Sequence, residues 1–130
     1  MIVRHDQIIP LTPTADHSAL EGHFVKNSSG SAALIAAATE IPVGVIVDGE
    51  PANGKDSVAL QGFAGVVTVK LAATPGTVNP FTVLTLDGTT LGAVRADPGT
   101  GNRVQVAIAL QAGVAGELIQ ARLIQPVSLS

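Results

Sequence analysis

The sequence predicts an all-β domain, a small β-barrel or compact β-sandwich, on three observations. Short runs rich in β-branched residues recur at roughly 8–12-residue spacing, the rhythm of sandwiches and barrels. Gly-, Asp- and Pro-containing turn signals separate them, among them Asp48-Gly49, Asn53-Gly54, Pro75-Gly76, Asp87-Gly88 and Asp97-Pro98-Gly99. Two stretches also echo one another: Gly44–Leu60 (GVIVDGEPANGKDSVAL) and Ala107–Leu123 (AIALQAGVAGELIQARL). Each passes from an apolar strand through a Gly turn and an acidic residue, Asp56 or Glu117, into an alternating strand. The echo favours a barrel with pseudo-symmetric halves; two copies are too few for a solenoid.

In chain order, residues 1–21 form an expected extended N-terminal arm and residues 22–130 the β-barrel domain. Pro10 and Pro13 disfavour a helix in the arm. Its apolar residues Ile8, Ile9 and Leu11 need a surface to pack on, in this subunit or a neighbour. Asn27–Ser31 (NSSGS) is suited to a hairpin turn between runs at 23–26 and 32–36. Residues 32–38 (AALIAAA) fit either a strand or a short helix; the turn before them and Pro42 after them favour the strand. Val43, Val45 and Val47 fall on one face of a strand ending at Asp48-Gly49, and Val58 with Leu60 repeats the pattern. Further runs cover Val67–Leu71, Phe81–Leu86, Leu91–Arg95 and Val104–Leu110. The last, Glu117–Ile124, is expected to stop at Pro126. In it Leu118 and Ile124 face away from Ile119 and Leu123, so both faces are apolar, which predicts cover by another subunit or by the arm.

Composition narrows function. At 130 residues the chain reads as one domain able to bury roughly two-thirds of its unfolded surface without a metal or disulfide staple. It is 46% hydrophobic but only 2% aromatic, with three Phe and no Trp or Tyr, so its core is built from many small contacts. The absence of Cys removes disulfides, thiolate zinc sites and Cys nucleophiles together. A net charge of −3 with seven Lys plus Arg argues against a nucleic-acid binder, which needs clustered cations and stacking rings. No signal-peptide core and no long apolar run appear, so a soluble protein made in a cytoplasm is expected.

Chemistry is thinly represented. Gly49–Asp56 (GEPANGKD) fits the G-x-x-x-x-G-K part of a phosphate-binding loop, but Asp56 stands where a Mg²⁺-binding hydroxyl belongs and the next residues read as strand. A hairpin loop in which Asn53-Gly54 supplies positive φ is the better reading. His17 and His23, with Asp16 and Glu21, form the one group with metal-ligand chemistry, yet their six-residue gap in an irregular segment fixes no geometry. His5 has no partner type nearby. Ser28, Ser29 and Ser31 sit in a turn rather than a nucleophile elbow. Arg95 and Arg103 flank the 97–102 loop and are read as solvated rather than as a site for an acidic partner. No catalytic, cofactor or metal residue is therefore expected.

From about His23 to Ile124 the chain resembles the phage capsid cement, or head decoration, proteins. The likeness rests on Gly22–Lys26, Ala36–Ile46, Asn53–Leu60, Gly65–Leu71 and the terminal Ala107–Ile119, with Ala107 standing where that family commonly has Gly. The resemblance implies a compact β-barrel without catalytic activity or cofactor, located on the virion exterior after assembly in the host cytoplasm. Its implied partner is the major capsid protein, with the protein itself a homotrimer. Ile8, Ile9, Leu11, Leu118 and Ile124 are the expected capsid or subunit contacts. Two other classes compete: a carbohydrate- or protein-binding adaptor, disfavoured by the scarcity of aromatic platforms, and an enzyme assembled around His17 and His23.

Overall fold

The computed structural model describes residues 8–51 and 53–130. The first seven residues of the expected arm, His5 among them, and Ala52 of the 49–56 loop lie outside the described residues. Among those described there is no helix. Ten strands form two five-stranded antiparallel sheets. The first contains β1 (Ile8–Leu11), β2 (Phe24–Ser28), β3 (Ser31–Leu34), β4 (Gly44–Asp48) and β5 (Asp56–Leu60). The second contains β6 (Val67–Lys70), β7 (Val83–Leu86), β8 (Val94–Ala96), β9 (Arg103–Ala109) and β10 (Leu118–Leu129).

The strand orders are β1-β5-β4-β2-β3 and β6-β10-β9-β7-β8, which is one topology used twice. Ile8 and Val67, Phe24 and Val83, and Gly44 and Arg103 open corresponding strands at one and the same separation along the chain. Both sheets also curl alike. The chain leaving β1 makes a parallel bridge from Pro13 to Ala32 of β3 at the far edge, and the chain leaving β6 does the same from Leu71 to Val94 of β8. Each bridge covers part of the edge at β3 and β8, which leaves less of it open to pairing with another chain. The sequence echo lies on the fourth and fifth strands of each half.

Several elements follow from local chemistry. The β2–β3 hairpin turns on Ser29 and Gly30, with φ of 52° and 88°, the double left-handed pair of a type I′ turn. Asn27 holds that turn by accepting the Gly30 N–H at 2.8 Å. Pairing of β4 with β5 shifts between Ile46 and Asp48, so Val47 is an extra residue pushed outward. The expected common face of Val43, Val45 and Val47 is broken for that reason: Val45 lies in the larger core, Val43 packs on the smaller one before the strand begins, and Val47 is exposed. Gly54 does not take positive φ, contrary to expectation; its N–H instead closes a turn onto the Pro51 carbonyl. Nor does Pro126 end β10. Leu123 pairs with Ala107 and Val127 with Gln105, so the intervening residues bow off the ladder and Pro126 has no hydrogen bond to forgo.

Two cores result. The larger joins Phe24, Ile35, Val45 and Ala59 of the first half to the inward residues of the second, including Val69, Leu84, Val106 and Ile119. The smaller holds Val25, Ala32, Ile46 and Val58, covered by Leu11, Leu20 and Val43. Polar bonds join the halves as well. The Gln61 side-chain amide donates to the carbonyls of Val106 and Ile124 at 3.0 and 2.7 Å. Gly22 donates to Ile46 O and accepts from Lys70 N, in a slot where an added Cβ would strike the Leu118 side chain and Lys70 backbone.

Candidate functional site

Residues 12–23 form a strap between β1 and β2. It is held by hydrogen bonds from Thr14 N to Ala32 O and from Ala32 N to Thr12 O. Asp16 shapes its middle by accepting the Ser18 N–H and hydroxyl at 2.9 and 2.6 Å, and those bonds hold its carboxyl below the usual range. The next residue, His17, is turned inward. Its N–H donates to Glu50 O at 2.9 Å, and its Nδ1 lies 2.5 Å from Asp56 Oδ2. Asp56 Oδ1 accepts the Glu50 N–H at 3.0 Å. One buried carboxylate thus ties the strap to the β4–β5 loop.

A His–Asp pair is two-thirds of a hydrolytic triad, so its surroundings decide its role. His17 is 2% exposed and Asp56 fully buried. The nearest serine in sequence, Ser18, is exposed and its hydroxyl is bonded to Asp16. Among the described residues no hydroxyl pairs with His17. Excluded from solvent and lacking a nucleophile, the pair acts as a lock on the strap. His23 is placed elsewhere, half-buried, with Nδ1 3.3 Å from Glu21 O; burial lowers its pKa despite that contact. The two histidines are not brought together, and among the described residues no three His, Asp or Glu gather as metal ligands.

The loop after β8 is likewise self-satisfied. Asp97 accepts from Gly99 N at 2.9 Å, Arg103 Nε at 2.6 Å and Gln105 Nε2 at 2.7 Å. Burial works to raise its pKa, but these donors and the Arg103 charge outweigh it and hold the carboxyl low. Arg103 also reaches Gly101 O, so its charge is engaged within its own loop.

Several large apolar side chains are exposed among the described residues. Leu118 is 46% exposed on the outer face of β10, and Ile8 is exposed on edge strand β1. Ile9 and Ile124 are half-buried. Leu11 packs on the smaller core, so its contact lies within this subunit. The five residues expected to form a contact therefore do not share one surface role. Sequence reasoning missed the two most exposed large apolar side chains among the described residues, Phe81 at 77% and Val114 at 65%. Val114 lines a groove of about 590 Å³ between residues 75–79 and 112–117. The available signal was an apolar residue at a turn tip, in Asn79-Pro80-Phe81-Thr82 and Gly113-Val114-Ala115-Gly116. Phe81 reads instead as the start of the strand Phe81–Leu86, which in fact begins at Val83.

No family model and no curated protein matches the chain. Among solved structures it is similar to a chain from the capsid of Myoviridae phage XM1, with a TM-score of 0.59 and 18% identity over 91% of this chain and 82% of that one. At that identity the likeness is one of fold, and it extends over both halves.

Proposed function

We propose that this protein is a structural, non-enzymatic component of a phage head: a decoration, or cement, protein that binds the outer surface of an icosahedral shell as a homotrimer and stabilises it. Its partner is the major capsid protein, and its place is the virion exterior, reached after synthesis in the host cytoplasm. The observation that carries this reading is the overlap, along nine-tenths of the chain, with a protein of a phage capsid. The chemistry is consistent with it. Among the described residues, the buried His17–Asp56 pair that resembles catalytic machinery is sealed from substrate, and the outward surface offers apolar side chains from turn tips and strand edges. Such contacts are individually modest, but repeated over a symmetric shell they give large avidity.

A decoration protein adds to a finished shell, whereas a shell subunit must be present while the shell forms. The test is to mix the purified protein with preformed, undecorated phage heads and sediment the mixture. Saturable binding at a fixed ratio per capsomer, with a raised melting temperature of the heads, is expected. Protein that stays in the supernatant at saturating concentration refutes the decoration role.

A further inference from the structure

We propose that the groove between residues 75–79 and 112–117 receives the Phe81 ring of a second copy of this chain, a contact that rests on the self-association part of the reading above. Phe81 occupies a backbone conformation that disfavours it. The Thr82 N–H closes a turn onto Asn79 O at 3.1 Å, with Pro80 first and Phe81 second, and Phe81 has φ of 73°. That is the type II position ordinarily held by Gly or Asn. A large ring is thus held in strained backbone and exposed to water, two disadvantages that a glycine would remove. Strain retained at a surface turn is characteristic of contact sites.

The turn also fixes the backbone that carries the ring: Asn79 N donates to Thr82 Oγ1 at 3.0 Å and Phe81 N to Ala109 O at 2.7 Å, so the Phe81 Cα is held in place for docking. Beside it, Gly113 N donates to Val78 O and sets the spacing of the groove walls. The walls are mainly Pro75, Val78, Ala112, Val114 and Ala115. The lone ionisable residue there, Glu117, has its Oε1 engaged by Val114 N at 2.7 Å. A mainly apolar trough of about 590 Å³, in which the Glu117 carboxylate is the one ionisable group, fits an aromatic ring with its flanking proline. Phe81 follows Asn79 of the groove wall by two residues yet does not line its own groove and stays 77% exposed, so each copy carries a knob without a hole and a hole without a knob. Association of copies satisfies both, which favours a second copy over a shell surface as occupant.

The test is light scattering of the purified chain, Phe81→Gly and Val114→Glu, without heads present. The wild type is expected at a multiple of its 13.1 kDa chain mass, and both variants at the single-chain mass, with self-association weakened at least roughly thirtyfold. Phe81→Gly relieves the turn, so its melting temperature at low concentration should equal or exceed that of wild type, which separates lost contact from lost fold. A wild type that is monomeric at high concentration, variants that still associate, or a Phe81→Gly chain that melts early would each overturn the proposal. If the wild type is monomeric yet binds heads, and Phe81→Gly abolishes that binding, the occupant is the shell and the second copy is wrong. An oligomer that depends on Phe81 but ignores heads keeps this contact and removes the capsid reading.

Discussion

Removing the Asp56 carboxylate should be among the most damaging single changes outside the apolar cores. Asp56→Ala leaves His17 Nδ1 and the Glu50 N–H buried without an acceptor. Breaking one side of a buried pair costs about 3–5 kcal/mol, and an orphaned backbone donor about 1–3 kcal/mol, with the two overlapping because they share one carboxylate. A loss of about 4 kcal/mol is a large part of the roughly 5–15 kcal/mol that holds a domain. For a chain of this length it corresponds to a melting temperature lower by roughly 10–20 °C. Urea unfolding of wild type, His17→Leu, Asp56→Leu and the double variant gives the coupling directly. The double variant should recover part of what either single change loses, because an apolar pair leaves fewer polar groups stranded. Protease cleavage within residues 12–22 should rise in the single variants as the strap loosens. A loss below about 1 kcal/mol in Asp56→Ala, or strictly additive single changes, refutes the lock.

Other outcomes follow from the same geometry. Asp97 and Glu40 are held below their ordinary values of 3.8 and 4.5, Asp97 by Gly99, Gln105 and Arg103 against its burial, and Glu40 by Lys26 and the Ala36 N–H. Their contributions are present at neutral pH and disappear as pH falls below those ordinary values; in acid titrations followed by circular dichroism, Asp97→Asn should flatten this limb. Burial holds His23 below 6.5, so the unfolded chain takes up a proton first and stability begins to decline as pH drops below that value; His23→Gln should abolish this earlier step. Gly44→Ala drives a Cβ into the Ala59 carbonyl and the Val58 side chain of the neighbouring strand, and thermal melts should show a loss of about 2–3 kcal/mol. Deletion of residues 1–13 removes β1 and Leu11 from the smaller core, so the truncated chain should unfold at lower urea concentration, whereas deletion of residues 1–7 leaves that strand in place.

The sequence made the sheet-forming runs legible where alternation and turn pairs agree. The β2–β3 hairpin is announced by Asn27–Ser31, and the β4–β5 and β9–β10 hairpins by their shared pattern. The echo exposed only the fourth and fifth strands of a topology that is duplicated throughout, because strands such as Phe24–Ser28 and Val83–Leu86 keep their place while sharing little composition. Bulges were invisible: nothing local tells Val47 from Val45, and Pro126 looks like a terminator until the ladder is seen to bow around it. Long-range polar pairing was equally hidden. His17 and Asp56 lie 39 residues apart, and the Asp56 that spoils a phosphate-loop motif gives no hint that it accepts from a histidine on the strap. Phe81 was concealed by its sequel, since Phe-Thr-Val-Leu-Thr-Leu is rich in strand-forming residues from its first position and only the turn geometry removes Phe81 from it.

Electron cryomicroscopy of heads incubated with an excess of this protein tests the structural role with a single readout. Extra density is expected on the outside of the shell, one cluster at each equivalent symmetry position, into which the two-sheet fold fits with its apolar turn tips facing protein. Bare heads indistinguishable from untreated ones, or density confined to the interior, would contradict it.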